Sequence, residues 1–187
     1  MTAAEPATHM DHVAIGRSAL AALHASLHTH APDLAVTVLQ ETGFASGEGM
    51  HAAFCAWLPD GAGVATPELL DGQQLGDTLS AFFDAHGWGH VAATPLPGGA
   101  LALDSDDWAE AEPGTAAAPM CFFSAGMLAD FLGRLTGETV AVMEVECRSR
   151  GDARCRFLSA LPETLQRVYE AMTEGRTYEE GLGLPAS

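Results

Sequence analysis

Apolar residues fall at helical spacing in several stretches of the chain, with shorter strand-like runs between them. Asp11–His30 predicts a first helix, with Val13, Ile15, Leu20, Leu23 and Leu27 as its apolar positions. Pro32 breaks that pattern. Leu34, Val36 and Val38 then alternate over Asp33–Gln40, which predicts a short strand. Phe44–Leu58 predicts a second helix, and Pro59–Asp71 a loop. Leu75, Leu79, Phe82 and Phe83 predict a third helix over Leu75–His86. His90–Leu96 and Ala100–Asp104 flank Pro97-Gly98-Gly99 and predict a hairpin. Asp104–Ala118 is acidic and built of small residues around Trp108, as a surface loop or short covering helix would be.

The clearest pattern is Cys121–Phe157. Phe122, Phe123, Met127, Leu128, Phe131, Leu132 and Leu135 recur as one face of a helix. Pro119 stands at its start, and Gly137 fits the left-handed position that ends it. Thr139–Val145 and Ala153–Ser159 predict two strands joined through the turn Ser149-Arg150-Gly151-Asp152. Pro162–Thr173, with Leu165, Val168 and Met172, predicts a last helix, and the chain is expected to fray from Glu174.

The 187 residues suffice for one domain with a core, and the 48% hydrophobic content marks it as globular. Neither repeats nor a second domain are visible. No apolar run approaches the length of a membrane span, and the first residues lack the basic and apolar regions of a secretory signal. The formal net charge is −17, and all eight basic residues are Arg. Such a surface repels nucleic acid and anionic membranes, so neither is expected as a partner. Four cysteines in this setting read as reduced, with metal binding favoured over disulfides and a cytoplasmic location expected.

Three of those cysteines carry the candidate chemistry. Cys147 and Cys155 flank the loop of the second hairpin. Cys121 sits at a helix N-terminus, where the dipole favours a thiolate. Glu144 precedes Cys147 by three residues. Three thiolates and a carboxylate suit a closed tetrahedral zinc site, although the spacing equally allows three ordinary buried thiols. Residues three apart on a regular strand face opposite sides, so Cys147 must lie beyond the strand end or on a bulge. Arg148, Arg150, Arg154 and Arg156 are candidates to offset the negative surplus. Cys55, beside Phe54 and Trp57, reads as core and not as a ligand. His24 and His28 stand four apart on the first helix and read as solvated or partner-facing. Gly43, Gly47 and Gly49 suggest close backbone approach, at a subunit interface; no phosphate-loop pattern accompanies them.

Cys121, Ala125-Gly126, Glu144, Cys147, Gly151-Asp152, Cys155 and Phe157 together resemble the C-terminal half of the 4-vinyl-reductase domain family. The same domain forms the sensor of aromatic-responsive transcription activators. The resemblance implies structural zinc on Cys121, Glu144, Cys147 and Cys155. It also implies an α+β fold like that of TRAPP vesicle-tethering subunits: one domain, an antiparallel sheet with packed helices, commonly a homodimer. The expected layout is a flexible tail over 1–10, a ligand-binding domain over 11–175 with its zinc segment at 119–159, and a flexible tail over 176–187. Related domains bind phenols, hydrocarbons or tetrapyrrole-related molecules.

No nucleophile elbow, zinc-protease helix or dinucleotide loop is present, and a zinc ion with four protein ligands leaves no open position for water. Whether the chain is an enzyme stays open, with recognition favoured over turnover. Aromatic residues offer an apolar pocket instead. Trp88, Phe83, Phe122 and Trp108 are candidates to line it, with His90 to bond a hydroxyl. The same aromatics also suit a filled core. Three readings follow: a zinc-stabilised domain that binds a hydrophobic small molecule for sensing or delivery, a bacteriochlorophyll-pathway accessory protein or vinyl-tetrapyrrole reductase, and a ligand-free dimeric scaffold.

Overall fold

Four strands form one antiparallel sheet in the order β1-β2-β4-β3. They are β1 (Ala92–Leu96), β2 (Ala100–Ser105), β3 (Ala141–Glu146) and β4 (Cys155–Ala160). The computed structural model describes residues 15–184. Both expected hairpins form. The β1–β2 turn runs through Gly98 and Gly99, each with φ above +70°, which residues with a Cβ rarely adopt. β2 and β4 pair in the centre, with Leu103 opposite Phe157.

Side chains alternate across the sheet and build two cores. Leu103, Cys155 and Phe157 face inward, onto α2 (Pro32–Gly61), α3 (Gly72–Ala85) and α4 (Phe122–Thr136). Ala102, Leu158 and Ala160 face outward, beneath Leu165 and Val168 of α5 (Pro162–Thr173). α1 (Arg17–His30) lies against α2, and the short α6 (Tyr178–Gly181) against α5. The fold is thus α+β, one antiparallel sheet between helical layers, as the family resemblance implied.

Two segments depart from the sequence reading. Asp33–Gln40 is not a strand but the opening of α2, a 30-residue helix with Pro32 in its first turn, where a missing N–H costs nothing. The alternating Leu34, Val36 and Val38 are exposed, whereas Ala35, Leu39, Gly43 and Gly47, each four apart, are buried. That helical stripe meets α4. A Cβ on Gly43 would fall against the backbone of Phe123, and one on Gly126 against the carbonyl oxygen of Gln40. The glycines of α2 therefore serve a helix crossing within the chain rather than a subunit interface. At the other end, the stretch expected to fray carries α6, held by a capping box in which Thr177 and Glu180 each bond the other's backbone N–H. Residues 11–14 of the expected first helix, the 1–10 tail and the last three residues lie outside the described residues.

Gly126 gives a test of sign. Gly→Ala inside an ordinary helix stabilises by about 0.5–1 kcal/mol. Here the added methyl meets backbone that cannot turn aside, so Gly126→Ala should destabilise by about 1–3 kcal/mol. Urea unfolding of the variant against the parent measures it; a variant as stable as the parent would show that the two backbones can separate freely.

Candidate metal centre

Cys121 caps α4, with its backbone outside the helix and its Sγ turned to the sheet. Cys147 follows the end of β3, and Cys155 opens β4. The Cys121 sulfur lies 3.9 Å from that of Cys147 and 4.0 Å from that of Cys155. With Glu144, the four donor atoms all lie within 4.8 Å of one another. The three thiols are buried. A tetrahedral ion with metal–sulfur bonds of about 2.3 Å holds its sulfurs about 3.8 Å apart, so the spacing fits one.

A bulge solves the facing problem. Glu144 stands opposite Phe157 and Glu146 opposite Arg156, so Val145 is the extra residue in β3. Phase along the strand shifts by one, which returns Cys147 to the side that Glu144 occupies. The turn that follows is held by Asp152, whose carboxylate accepts from the Cys147 N–H (2.7 Å), and by Arg150, which donates to the Val145 carbonyl (3.0 Å). Gly151 takes φ of 102° to close it.

The donor set is electrostatically unfinished. Burial pushes the Glu144 carboxyl up to about 8, and the Cys147 thiolate beside it adds to the shift. Hydrogen bonds from the Cys121 and Cys155 thiols hold Cys147 far below the ordinary thiol range. Cys121 is pushed far up as the donor to Cys147 and Cys155 and by its burial. Glu144 Oε2 accepts from the N–H groups of Met120 (3.1 Å) and Cys121 (3.0 Å), while Oε1 is buried with no hydrogen-bond partner among the described residues. One aimed but unpartnered carboxylate oxygen beside three clustered sulfurs is what a dication would satisfy. The nearby arginines do not: Arg150 pairs with Asp152, Arg154 with Glu146, and Arg156 with Asp104.

The five residues predicted to hold a ligand are not all neighbours. Trp108 and Phe83 are fully buried and meet edge to face at 5.5 Å between ring centres. Trp88 is half-buried, 5.5 Å from Trp108 and stacked on Phe123 at 6.0 Å. Phe122 is also half-buried, one residue from the ligand Cys121. His90 stands apart at the surface, bonded through Nδ1 to Asp107 (2.9 Å); that bond raises its pKa. A depression of about 300 Å³ adjoins His90, but its other lining residues include Asp104, Asp106 and Arg154. An apolar crevice of about 240 Å³ lies between Trp57, Leu70 and Ala81 and contains none of the predicted residues. Cys55 is only partly buried, with its sulfur 3.8 Å from the His51 ring, and is not among the four donors.

One buried network escaped the sequence reading. The Glu110 side chain is wholly buried and accepts from the N–H groups of Phe123 (3.0 Å) and Ser124 (2.7 Å) and from the Ser124 hydroxyl. His24 Nε2 lies 2.8 Å from it, so this histidine is neither solvated nor partner-facing. Trp108 donates its indole N–H to Ser124 Oγ (2.7 Å). The hint in the sequence was the pairing of a histidine on an otherwise apolar helix with a carboxylate in a small-residue loop, and neither implies the other without the fold.

Comparison with known proteins agrees with this picture. No curated protein sequence matches the chain. Among solved structures, the phenol-responsive sensory domain of the transcription activator PoxR, crystallised with phenol, is similar in fold: TM-score 0.59, 19% identity, 94% of this chain and 85% of that one covered. The family resemblance read from Cys121 to Phe157 is likewise shown, for residues 106–159, which include all four donors, match the model of the 4-vinyl-reductase (4VR) domain.

Proposed function

We propose that this chain is a zinc-stabilised sensing domain that binds a small aromatic or other hydrophobic molecule without transforming it. The observation that carries the reading is that metal donors and aromatic rings alternate along the same two elements. Cys121 precedes Phe122 and Phe123 on α4, and Cys155 precedes Phe157 on β4, where Phe157 packs on Trp108 at 5.6 Å. A metal that clamps α4 to β4 thereby positions the rings that a ligand would touch. The 4-vinyl-reductase domain match and the likeness to a phenol-responsive domain support the same reading.

Zinc suits three thiolates and a carboxylate, and with all four positions taken by protein it would be structural. When bound it supplies folding free energy to the junction of helix and hairpin. Trp88, Phe83, Trp108 and Phe122 are the proposed ligand contacts, with Trp88 as the half-buried entry and His90 at the rim to bond a hydroxyl. The domain acts in the cytoplasm as a homodimer through α1, where Leu23 is exposed, and the exposed Leu34 and Phe44 of α2 extend that apolar surface.

Elemental analysis of tag-free protein should find one zinc per chain. Cys155→Ser should lose most of it, along with about 3 kcal/mol or more of stability; at roughly 2–4 °C per kcal/mol, melting falls by about 10 °C. Absence of zinc, or a variant that melts with the parent, would refute the metal assignment. Light scattering at tens of micromolar should report a dimer, and a monomer there would remove that part of the reading.

A thermal-shift screen of phenols and aromatic hydrocarbons should yield hits that are recovered chemically unchanged. Trp88→Ala should weaken the best hit by about 1 kcal/mol, roughly fivefold in Kd. His90→Ala should weaken hydroxylated ligands and spare hydrocarbons. A hit recovered as a product would make the protein an enzyme, and no hit at all would favour a scaffold.

A further inference from the structure

The bulge in β3 has a second side. As Glu144 and Cys147 turn inward to the metal donors, Val145 and Glu146 turn outward. Val145 is buried in the core beneath α5, and Glu146 reaches a polar network on that outer face. β4 does the same one residue along: Cys155 points inward and Arg156 outward. Two of the four donors are therefore chain neighbours of residues in the outer network.

That network ends on α6. The Tyr178 hydroxyl donates to Glu146 Oε1 (2.7 Å) and accepts from Arg156 Nη1 (2.7 Å). Arg156 grips Asp104 of β2 with two bonds, Nε to Oδ1 at 2.7 Å and Nη2 to Oδ2 at 2.6 Å, and its guanidinium lies 5.7 Å from the centre of the Tyr178 ring. Arg154 closes the other side of Glu146 at 3.0 Å. The Arg156, Asp104 and Glu146 side chains are 16%, 17% and 22% exposed, so these bonds are largely shielded from water. α6 is seated closely enough to hold the tyrosine there: a Cβ on Gly181 would lie 2.8 Å from Val168 Cα of α5.

We propose that Tyr178 is a positioning residue of the metal centre: through Glu146 and Arg156 the docked C-terminal helix holds the bulge, and so Cys147 and Cys155, in the ligating arrangement. Metal retention and docking of α6 are then coupled, and the coupling is reciprocal. This rests on the reading of the four donors as a metal site. The wider consequence is a route from the inside of the domain to its C-terminal end.

The test uses the full chain loaded with zinc and the variant Tyr178→Phe, which keeps the ring, its packing and its contact with Arg156 but removes the hydroxyl. Zinc transfer to an excess of a chromophoric chelator should be about tenfold faster from the variant, the usual scale for loss of an outer-shell partner. In the parent, amide exchange over 177–184 should quicken when zinc is removed, while Pro162–Thr173 keeps its protection. Urea midpoints of the two metal-free proteins separate positioning from general weakening: they should coincide. Equal transfer rates overturn the proposal. So does a faster rate matched by an equally lower metal-free midpoint. So does unchanged exchange over 177–184. If zinc removal unfolds α5 as well, the transfer rate decides alone. A parent chain that takes up no metal overturns the metal reading itself, whereas a parent that binds zinc and a variant that releases it identically overturn only the coupling.

Discussion

Burial of like charge at one point governs how this chain is put together. Three thiols and a carboxylate converge where the inner sheet face meets the N-terminus of α4, in surroundings that resist ionising all of them together. The protein answers first with the helix itself: free N–H groups at Met120 and Cys121 turn to Glu144, and those at Phe123 and Ser124 to Glu110. Two carboxylates thus approach one helix end from two directions, one from the sheet and one from the loop that α1 covers through His24. Few degrees of freedom remain for α4 once both are in place, and the aromatic residues of its first turn inherit that placement.

What could be read from sequence follows the range of each signal. α4, both hairpins and the four donors were legible because spacing, Gly137 and the Gly151-Asp152 turn are local. Even the bulge was implied, since Glu144 and Cys147 cannot share a side of a regular strand. The first half of α2 was not legible. Its alternating Leu34, Val36 and Val38 imitate a strand, while the residues that do pack, Ala35, Leu39, Gly43 and Gly47, are small and acquire meaning only against Gly126 far along the chain. His24 and Glu110 likewise explain each other only after folding. α6 could have been found: Thr177 and Glu180 stand at capping-box spacing, but four helical residues between glycines offer little periodicity to notice.

The ring cluster shows the limit of composition as a guide to binding. Phe83 and Trp108 are bound into the core from several sides, and the indole N–H of Trp108 is already occupied by Ser124. Trp88 and Phe123, stacked and half-buried at the edge, are freer to change partners. Aromatic content alone does not separate these two kinds of residue; the depth of each ring in the fold does.

The crossing of α2 and α4 has a mechanical meaning. Most helix pairs touch through side chains, which can change rotamer and let one helix slide a fraction of a turn past the other. At Gly43, Gly47 and Gly126 backbone meets side chain or backbone with no methyl between. There is almost nothing to re-pack, so the two helices behave as a single stiff plate. Strain introduced on one side of that plate is not absorbed by it. It passes to the lighter parts hung on the plate, α1, α3 and the β1–β2 hairpin, and those are where a change of shape would show.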